Sequence, residues 1–264
     1  MPQFASLHYE TDGDNSHQPI VFLHGFLGNC NSWNDIISSL QKKYYCITID
    51  LPGHGRSLLE DDSHYTIPNC SKLIMRLLDN LGVLKISLVG YSMGARLGLF
   101  VALNYPERIN KLVMESSSPG LKTKQERIER QKSDKMLAQE LENAPFDQFL
   151  RKWYNQPLFD SLKRDQKRFR ALMEKRKIND PVGLARSLRF MGSGVQDSLW
   201  GKLKDLQVPT LLIVGEYDSK FQEIAQEMST KADKIRVKTV RGAGHNVHFE
   251  KPSEYAEVLK GFLK

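Results

Sequence analysis

The chain has 264 residues, 40% of them apolar, a net charge of +7 and three cysteines. This length supports a core that needs no cross-link, and three sparse cysteines without metal-ligand spacing exclude a disulfide framework and a zinc site. The charge suggests nucleic acid until it is mapped: residues 119–206 carry 20 Lys and Arg against 12 Asp and Glu, leaving 18 basic and 19 acidic residues elsewhere, and no nucleic-acid-binding signature accompanies them.

The N-terminus, MPQFASLHYE, lacks a signal pattern, and no apolar run approaches a membrane span. A soluble cytoplasmic protein is expected, without membrane or nucleic-acid partners. Residues 3–10 read as an extra edge strand. Strands then follow at 19–25 (PIVFLHG), 44–50 (YYCITID), 85–92 (KISLVGYS), 109–117 (INKLVMESS), 210–218 (TLLIVGEYD) and 235–242 (IRVKTVRG). They are too continuously apolar to leave one face wet, which fits a parallel sheet covered on both sides. Helical patterns at 31–43, 67–81, 93–105, 221–231 and 253–263 separate them. Such alternation requires crossover connections and a doubly wound sheet. Residues 119–206 hold only helical, charged pattern broken at Pro145, Pro157 and Pro181. That is far too long for a loop. It reads as a helical cap inserted into a core made of 1–118 and 207–264, over the strand ends where ligands bind.

Gly90-Tyr91-Ser92-Met93-Gly94 follows a predicted strand and opens a predicted helix. That context turns a weak G-x-S-x-G string into a nucleophile elbow and the sheet into an α/β-hydrolase fold. A serine needs a base and an acid to become reactive. Asp218 ends the strand 210–218 and His245 follows the last strand, giving the order Ser, Asp, His that this fold uses. His248 is the rival base, set below His245 by the pattern Gly244-His245, Glu250 and Pro252. Glu115, at the end of the preceding strand, is the rival acid. Asp50 and His54, in DLPGHGRS, read as structural. Negative charge developing on oxygen needs an oxyanion hole. Its donors are the backbone N–H of Met93 and that of Phe26, in HGFLG.

Arg96 lies one helical turn beyond Ser92 and faces the same way, among the small and apolar neighbours of GARLGLFVAL. A guanidinium there needs an anion. An internal carboxylate and a substrate carboxylate both satisfy it.

VFLHGFLG, DLPGHGRS, GYSMGAR, the SSPGL run, WYNQPLF, GEYDSKF and GAGHN together resemble the 2-succinyl-6-hydroxy-2,4-cyclohexadiene-1-carboxylate synthases, from about Pro19 to the C-terminus. GYSMGAR, WYNQPLF and GEYDSKF are the specific strings, since the others occur across many hydrolases. The resemblance implies a pyruvate-eliminating lyase of menaquinone biosynthesis, acting on 2-succinyl-5-enolpyruvyl-6-hydroxy-3-cyclohexene-1-carboxylate, a small polycarboxylate. It implies a triad that works as a base through Ser92, with no acyl-enzyme and no metal or organic cofactor. Arg130 matches a second carboxylate-binding arginine. Arg176 is taken as the third, with Arg164 and Arg170 as alternatives because the spacing departs from the family pattern. Tyr91 and Trp153 match pocket-lining positions, and a core role stands beside that one. Two other readings stay open: a carboxylesterase or carbon–carbon-bond hydrolase, and a non-catalytic receptor. The oligomeric state is open between monomer and homodimer.

Overall fold

The computed structural model of the chain describes residues 6–264. Seven strands form one sheet: β1 (Tyr9–Asp12), β2 (Gln18–Leu23), β3 (Tyr44–Ile49), β4 (Ile86–Tyr91), β5 (Ile109–Glu115), β6 (Thr210–Gly215) and β7 (Ile235–Val240). Their spatial order is β1-β3-β2-β4-β5-β6-β7. Only β1 is antiparallel to its neighbour, with Tyr9 opposite Ile49; all other pairings are parallel. The edge strand expected over 3–10 starts at Tyr9 and runs on to Asp12; positions 3–5 of that expectation lie outside the described residues. Buried residues occupy β4 and β6 from end to end, the signature of central strands covered on both faces. The edge strand β7 instead exposes Arg236, Lys238 and Thr239 between buried ends or half-buried neighbours, and charge on an edge discourages pairing with another chain.

Helices α1 (Asn34–Leu40), α2 (Ile67–Asn80) and α3 (Met93–Asn104) alternate with the first strands. The helix expected over 31–43 divides into a 3-10 turn, Cys30–Trp33, and α1. On one sheet face α2 and α3 bury Leu73, Ile74, Leu97 and Leu99. On the other, α1 buries Ile36 and Ile37 against Trp33 and Phe22. Each such side chain contributes about 1.5–3 kcal/mol by leaving water.

Between β5 and β6 lie α4 (Lys124–Asn143), α5 (Phe146–Tyr154), α6 (Gln166–Arg176) and α7 (Pro181–Met191), with α4 packed on α7. The three prolines that break the sequence pattern sit at element starts: Pro145 caps α5, Pro157 opens a 3-10 segment and Pro181 opens α7. Proline lacks the N–H that a first turn leaves unused. These helices share an apolar cluster of their own with Leu27, from the loop after β2. Asn179 adds a polar tie: its Nδ2 donates to Leu27 O (3.0 Å), and its Oδ1 accepts from Gly55 N–H (3.2 Å). The chain closes with α8 (Ser219–Ser229), a short α9 (Val247–Glu250) and α10 (Pro252–Leu263). Among the described residues no helix is long and apolar enough to cross a membrane.

Candidate active site

Ser92 occupies the turn between β4 and α3 with φ 49° and ψ −103°. A side-chain-bearing residue holds that left-handed φ only when its surroundings enforce it. Here Ser92 N–H donates to Glu115 O (2.9 Å), and Ser117 Oγ donates to Ser92 O (2.8 Å). The flanking glycines make the turn possible. A Cβ on Gly90 would lie 2.6 Å from Ala95 Cα, and one on Gly94 would lie 2.3 Å from Leu23 O.

Asp218 is not the last residue of a strand, as the sequence suggested. β6 stops at Gly215, and Asp218 takes the N-cap position of α8. The loop between them lets its carboxylate turn to His245, whose Nδ1 meets Oδ2 at 2.8 Å, with both side chains buried. With Asp218 ionised, Nδ1 carries the ring proton and Nε2 is the nitrogen open to accept one. Tyr91, next to Ser92, sets its ring 5.5 Å from that of His245, while Phe221 and Phe159 pack at 4.7 and 6.1 Å. The two rivals pair with each other: Glu115 Oε2 meets His248 Nδ1 at 2.7 Å.

The loop that bears Phe26, the candidate oxyanion donor, is oriented by one peptide. Gly25 O accepts from Gly28 N–H (2.9 Å) and lies 2.8 Å from His24 Nδ1. In a planar trans peptide the N–H points opposite its carbonyl, so Phe26 N–H is directed away from both. His24 Nε2 accepts Leu51 N–H at 2.9 Å, which places the proton on Nδ1. Burial pushes this imidazole down from 6.5 to about 4, so the neutral tautomer persists. Met93 supplies a first-turn N–H of α3, which has no intrahelical acceptor. His54 is also fully buried, and desolvation holds its pKa well below the usual range; it lies 5.6 Å edge-on to Phe26. Phe26 in turn packs 5.0 Å from Trp153.

The three arginines differ in their partners. Arg96 donates to Gln196 Oε1 (2.6 Å) and Met191 O (2.9 Å), both neutral. Burial, together with the Arg130 charge, lowers its pKa to about 10. Arg176 is 6% exposed; its Nε donates to Tyr154 OH (3.1 Å) and its Nη1 to Ser32 Oγ (3.2 Å). It is close enough to act electrostatically on His24, His54 and Tyr91. Arg130 has an internal carboxylate: its Nε donates to Asp134 Oδ1 at 2.7 Å. Arg164 and Arg170 are exposed, one over the Tyr217 ring and the other bonded to Gln166 O. Sequence reasoning missed Asp134, Gln196, Tyr154 and Ser32. The i,i+4 spacing of Arg130 and Asp134 was a usable signal; the others carried none.

Asp50 acts as a brace for this loop, accepting Cys30 N–H (2.6 Å) and Arg56 N–H (2.9 Å) and meeting His8 Nδ1 at 2.9 Å. His8, Cys30 and Asp50 have metal-ligand atoms within 4.8 Å of one another. The carboxylate is already engaged by those three donors, so the cluster is a hydrogen-bond network.

The chain matches the family model of the alpha/beta hydrolase fold over residues 18–252. It is 33% identical over 245 residues to the 2-succinyl-6-hydroxy-2,4-cyclohexadiene-1-carboxylate synthase of Escherichia coli O1:K1, covering 93% of each chain. A relative from Bacillus subtilis (strain 168), provisionally named for the same synthase, is 38% identical over 255 residues, covering 96% of this chain and 92% of its own. Among solved structures, MenH from S. aureus superposes with a TM-score of 0.92 at 36% identity, covering 97% of both chains. The enol-lactonase from Burkholderia xenovorans LB400 has a TM-score of 0.83 at 19% identity, covering 97% of this chain and 96% of its own, and so shares the fold.

Proposed function

The chain belongs to the 2-succinyl-6-hydroxy-2,4-cyclohexadiene-1-carboxylate synthases of the α/β-hydrolase fold family, and from that we propose how its residues carry out the elimination. The enzyme is the pyruvate-eliminating lyase of menaquinone biosynthesis. Its substrate, 2-succinyl-5-enolpyruvyl-6-hydroxy-3-cyclohexene-1-carboxylate, carries three carboxylates and a ring proton made acidic by the succinyl carbonyl. Ser92 Oγ takes that proton while passing its own to His245 Nε2. Asp218 fixes the His245 tautomer and stabilises the imidazolium. The electron pair left on carbon is delocalised onto the succinyl oxygen, where Phe26 and Met93 N–H groups stabilise it. The pair then returns to form C2=C3 while the existing C3=C4 pair shifts to C4=C5 and the enolpyruvyl C5–O bond breaks, and the expelled enolate takes up the proton held by His245 and becomes pyruvate. No acyl-enzyme forms.

The observation that carries this assignment is the arginine set. Arg96 and Arg176 bond neutral acceptors, and burial penalises the Arg96 charge. Arg96, Arg130 and Asp134 together leave one unmatched positive charge. A pocket for a neutral ester has no use for such groups, whereas a polycarboxylate supplies the missing anions through bidentate bonds. Tyr91 and Trp153 line the same pocket, and residues 119–206 act as its cap. The protein works as a cytoplasmic enzyme on a free small molecule.

The test is release of pyruvate from the enolpyruvyl substrate, followed with the wild-type protein and with Ser92→Ala. Wild-type turnover with a loss of several orders of magnitude in the variant is expected. Near-normal turnover in Ser92→Ala would remove the serine from the mechanism.

A further inference from the structure

A second carboxylate–imidazole pair lies beside the first. Glu115, the last residue of β5, is completely buried. Its Oε1 accepts the backbone N–H of His248 at 3.1 Å, and its Oε2 meets His248 Nδ1 at 2.7 Å. With the ring proton on Nδ1, His248 offers two N–H donors and the carboxyl group meets both at once, whereas an amide would turn its NH2 against one of them. The same residue's main-chain carbonyl accepts Ser92 N–H. Glu115 is therefore bonded to the nucleophile through its backbone and to His248 through its side chain.

His248 stands three residues after His245, as the second residue of α9, whose N-cap is Asn246. Its ring stacks on Trp33 (4.2 Å, 25°) and meets the Tyr91 and Tyr255 rings edge-on at 5.0 and 5.9 Å. Tyr91 touches both imidazoles. A buried carboxyl–imidazole bond in such aromatic surroundings contributes little to stability beyond what a packed apolar pair would give. What it does supply is direction: a carboxylate accepts the turn's N–H and ring N–H from one side only, whereas apolar contacts permit sliding.

We infer that Glu115 and His248 are positioning residues for the base, holding the turn that bears His245 in register with the backbone of Ser92. The inference rests on the triad reading above. Proton transfer through Ser92 tolerates little displacement, since a misplacement of about 1 Å can cost roughly a hundredfold in rate. The pair touches no substrate; it acts through the placement of His245.

The experiment uses substrate-free protein first. His245 and His248 each hold a solvent-shielded Nδ1–H in a short bond to a carboxylate, so proton NMR should show two far-downfield resonances. His248→Gln should remove one and move the other, and Glu115→Gln should disturb both. The rate at which a fluorophosphonate labels Ser92 should fall about tenfold or more in either variant. Pyruvate release should fall by a similar factor with KM within about twofold. Labelling and NMR do not depend on the substrate assignment, so they report on the pair even if that assignment fails. An unmoved His245 resonance with unchanged labelling, in variants that merely melt at lower temperature, would overturn the inference. If Glu115→Gln does not fold, the double variant Glu115→Leu/His248→Phe replaces the pair by an apolar contact. A well-folded double variant with reduced labelling supports the positioning role, and one labelled at the wild-type rate refutes it.

Discussion

Replacing Arg176 by methionine should raise stability while damaging function. The guanidinium is buried against two hydroxyls, Tyr154 OH and Ser32 Oγ, with no carboxylate bonded to it. Those bonds are worth about 1 kcal/mol each, and losing one leaves the Tyr154 hydroxyl unsatisfied at a cost of roughly 1–3 kcal/mol. Ser32 Oγ keeps a partner, because it also accepts Asn29 N–H at 3.1 Å. Against this stands the desolvation of an unpaired cation, several kcal/mol even after relaxation. Methionine fills the same channel with flexible apolar bulk. The net expectation is a gain of about 1–2 kcal/mol, or a rise in Tm of roughly 2–8 °C for a chain of this size. Catalytic efficiency should fall about ten- to a hundredfold, the value of charge-assisted bonds to one substrate carboxylate at roughly 1.5–3 kcal/mol. Differential scanning calorimetry and pyruvate-release kinetics on the same preparations test both halves. A Tm several degrees lower with unchanged efficiency would make Arg176 a structural residue and refute the reasoning.

His24 should make the fold acid-sensitive. Its folded pKa, about 4, lies below the ordinary 6.5, so below 6.5 the unfolded chain binds a proton that the native state refuses. Stability should therefore drop as pH falls from 6.5 to 4, by roughly 3 kcal/mol from this group; urea titrations should show a flatter profile in His24→Gln over that window, and parallel profiles would contradict the assignment. Gly94→Ala should destabilise by about 1–3 kcal/mol or more and abolish most turnover, because its Cβ meets backbone at Leu23 and His24 rather than a yielding side chain; an active variant with an unchanged melt would disprove the close approach. Asp218→Asn should cut turnover by a factor on the order of 10³–10⁴ through the wrong His245 tautomer. Glu115 cannot substitute, since both of its oxygens already serve His248; kcat above a tenth of wild type would show that another group supplies the acid.

The sheet and the candidate serine turn are legible in the sequence because both are written in local pattern. Continuous apolar runs such as 86–91 mark central strands, and the string around Ser92 needs only its neighbours to be recognised. Where a strand is short and half exposed, as in β1, the pattern blurs and the boundary shifts by several residues. The pairing of Asp218 with His245 follows from the sequence order although the setting of Asp218 differs, since the acidic residue is conspicuous while the end of β6 at Gly215 is not. The partners of the arginines were out of reach. Gln196 and the Met191 carbonyl lie 100 and 95 residues from Arg96, and Ser32 lies 144 from Arg176. Such contacts are set by how α4–α7 fold over the sheet, and no period in the sequence encodes them. Glu115 and His248 lie 133 residues apart, and each reads singly in the sequence as a competitor for a triad role.

Asn179 gives the helical insertion a mechanical role. One side chain grips Leu27 O and Gly55 N–H, and Leu27, beside Phe26, is packed into the insertion's own apolar cluster. Swinging these helices outward therefore pulls on the segment that carries the Phe26 N–H. The insertion and the segment bearing Phe26 are thus one packed unit, and a substitution that loosens the Asn179 bonds should be felt at the Phe26 peptide as well as in the helices.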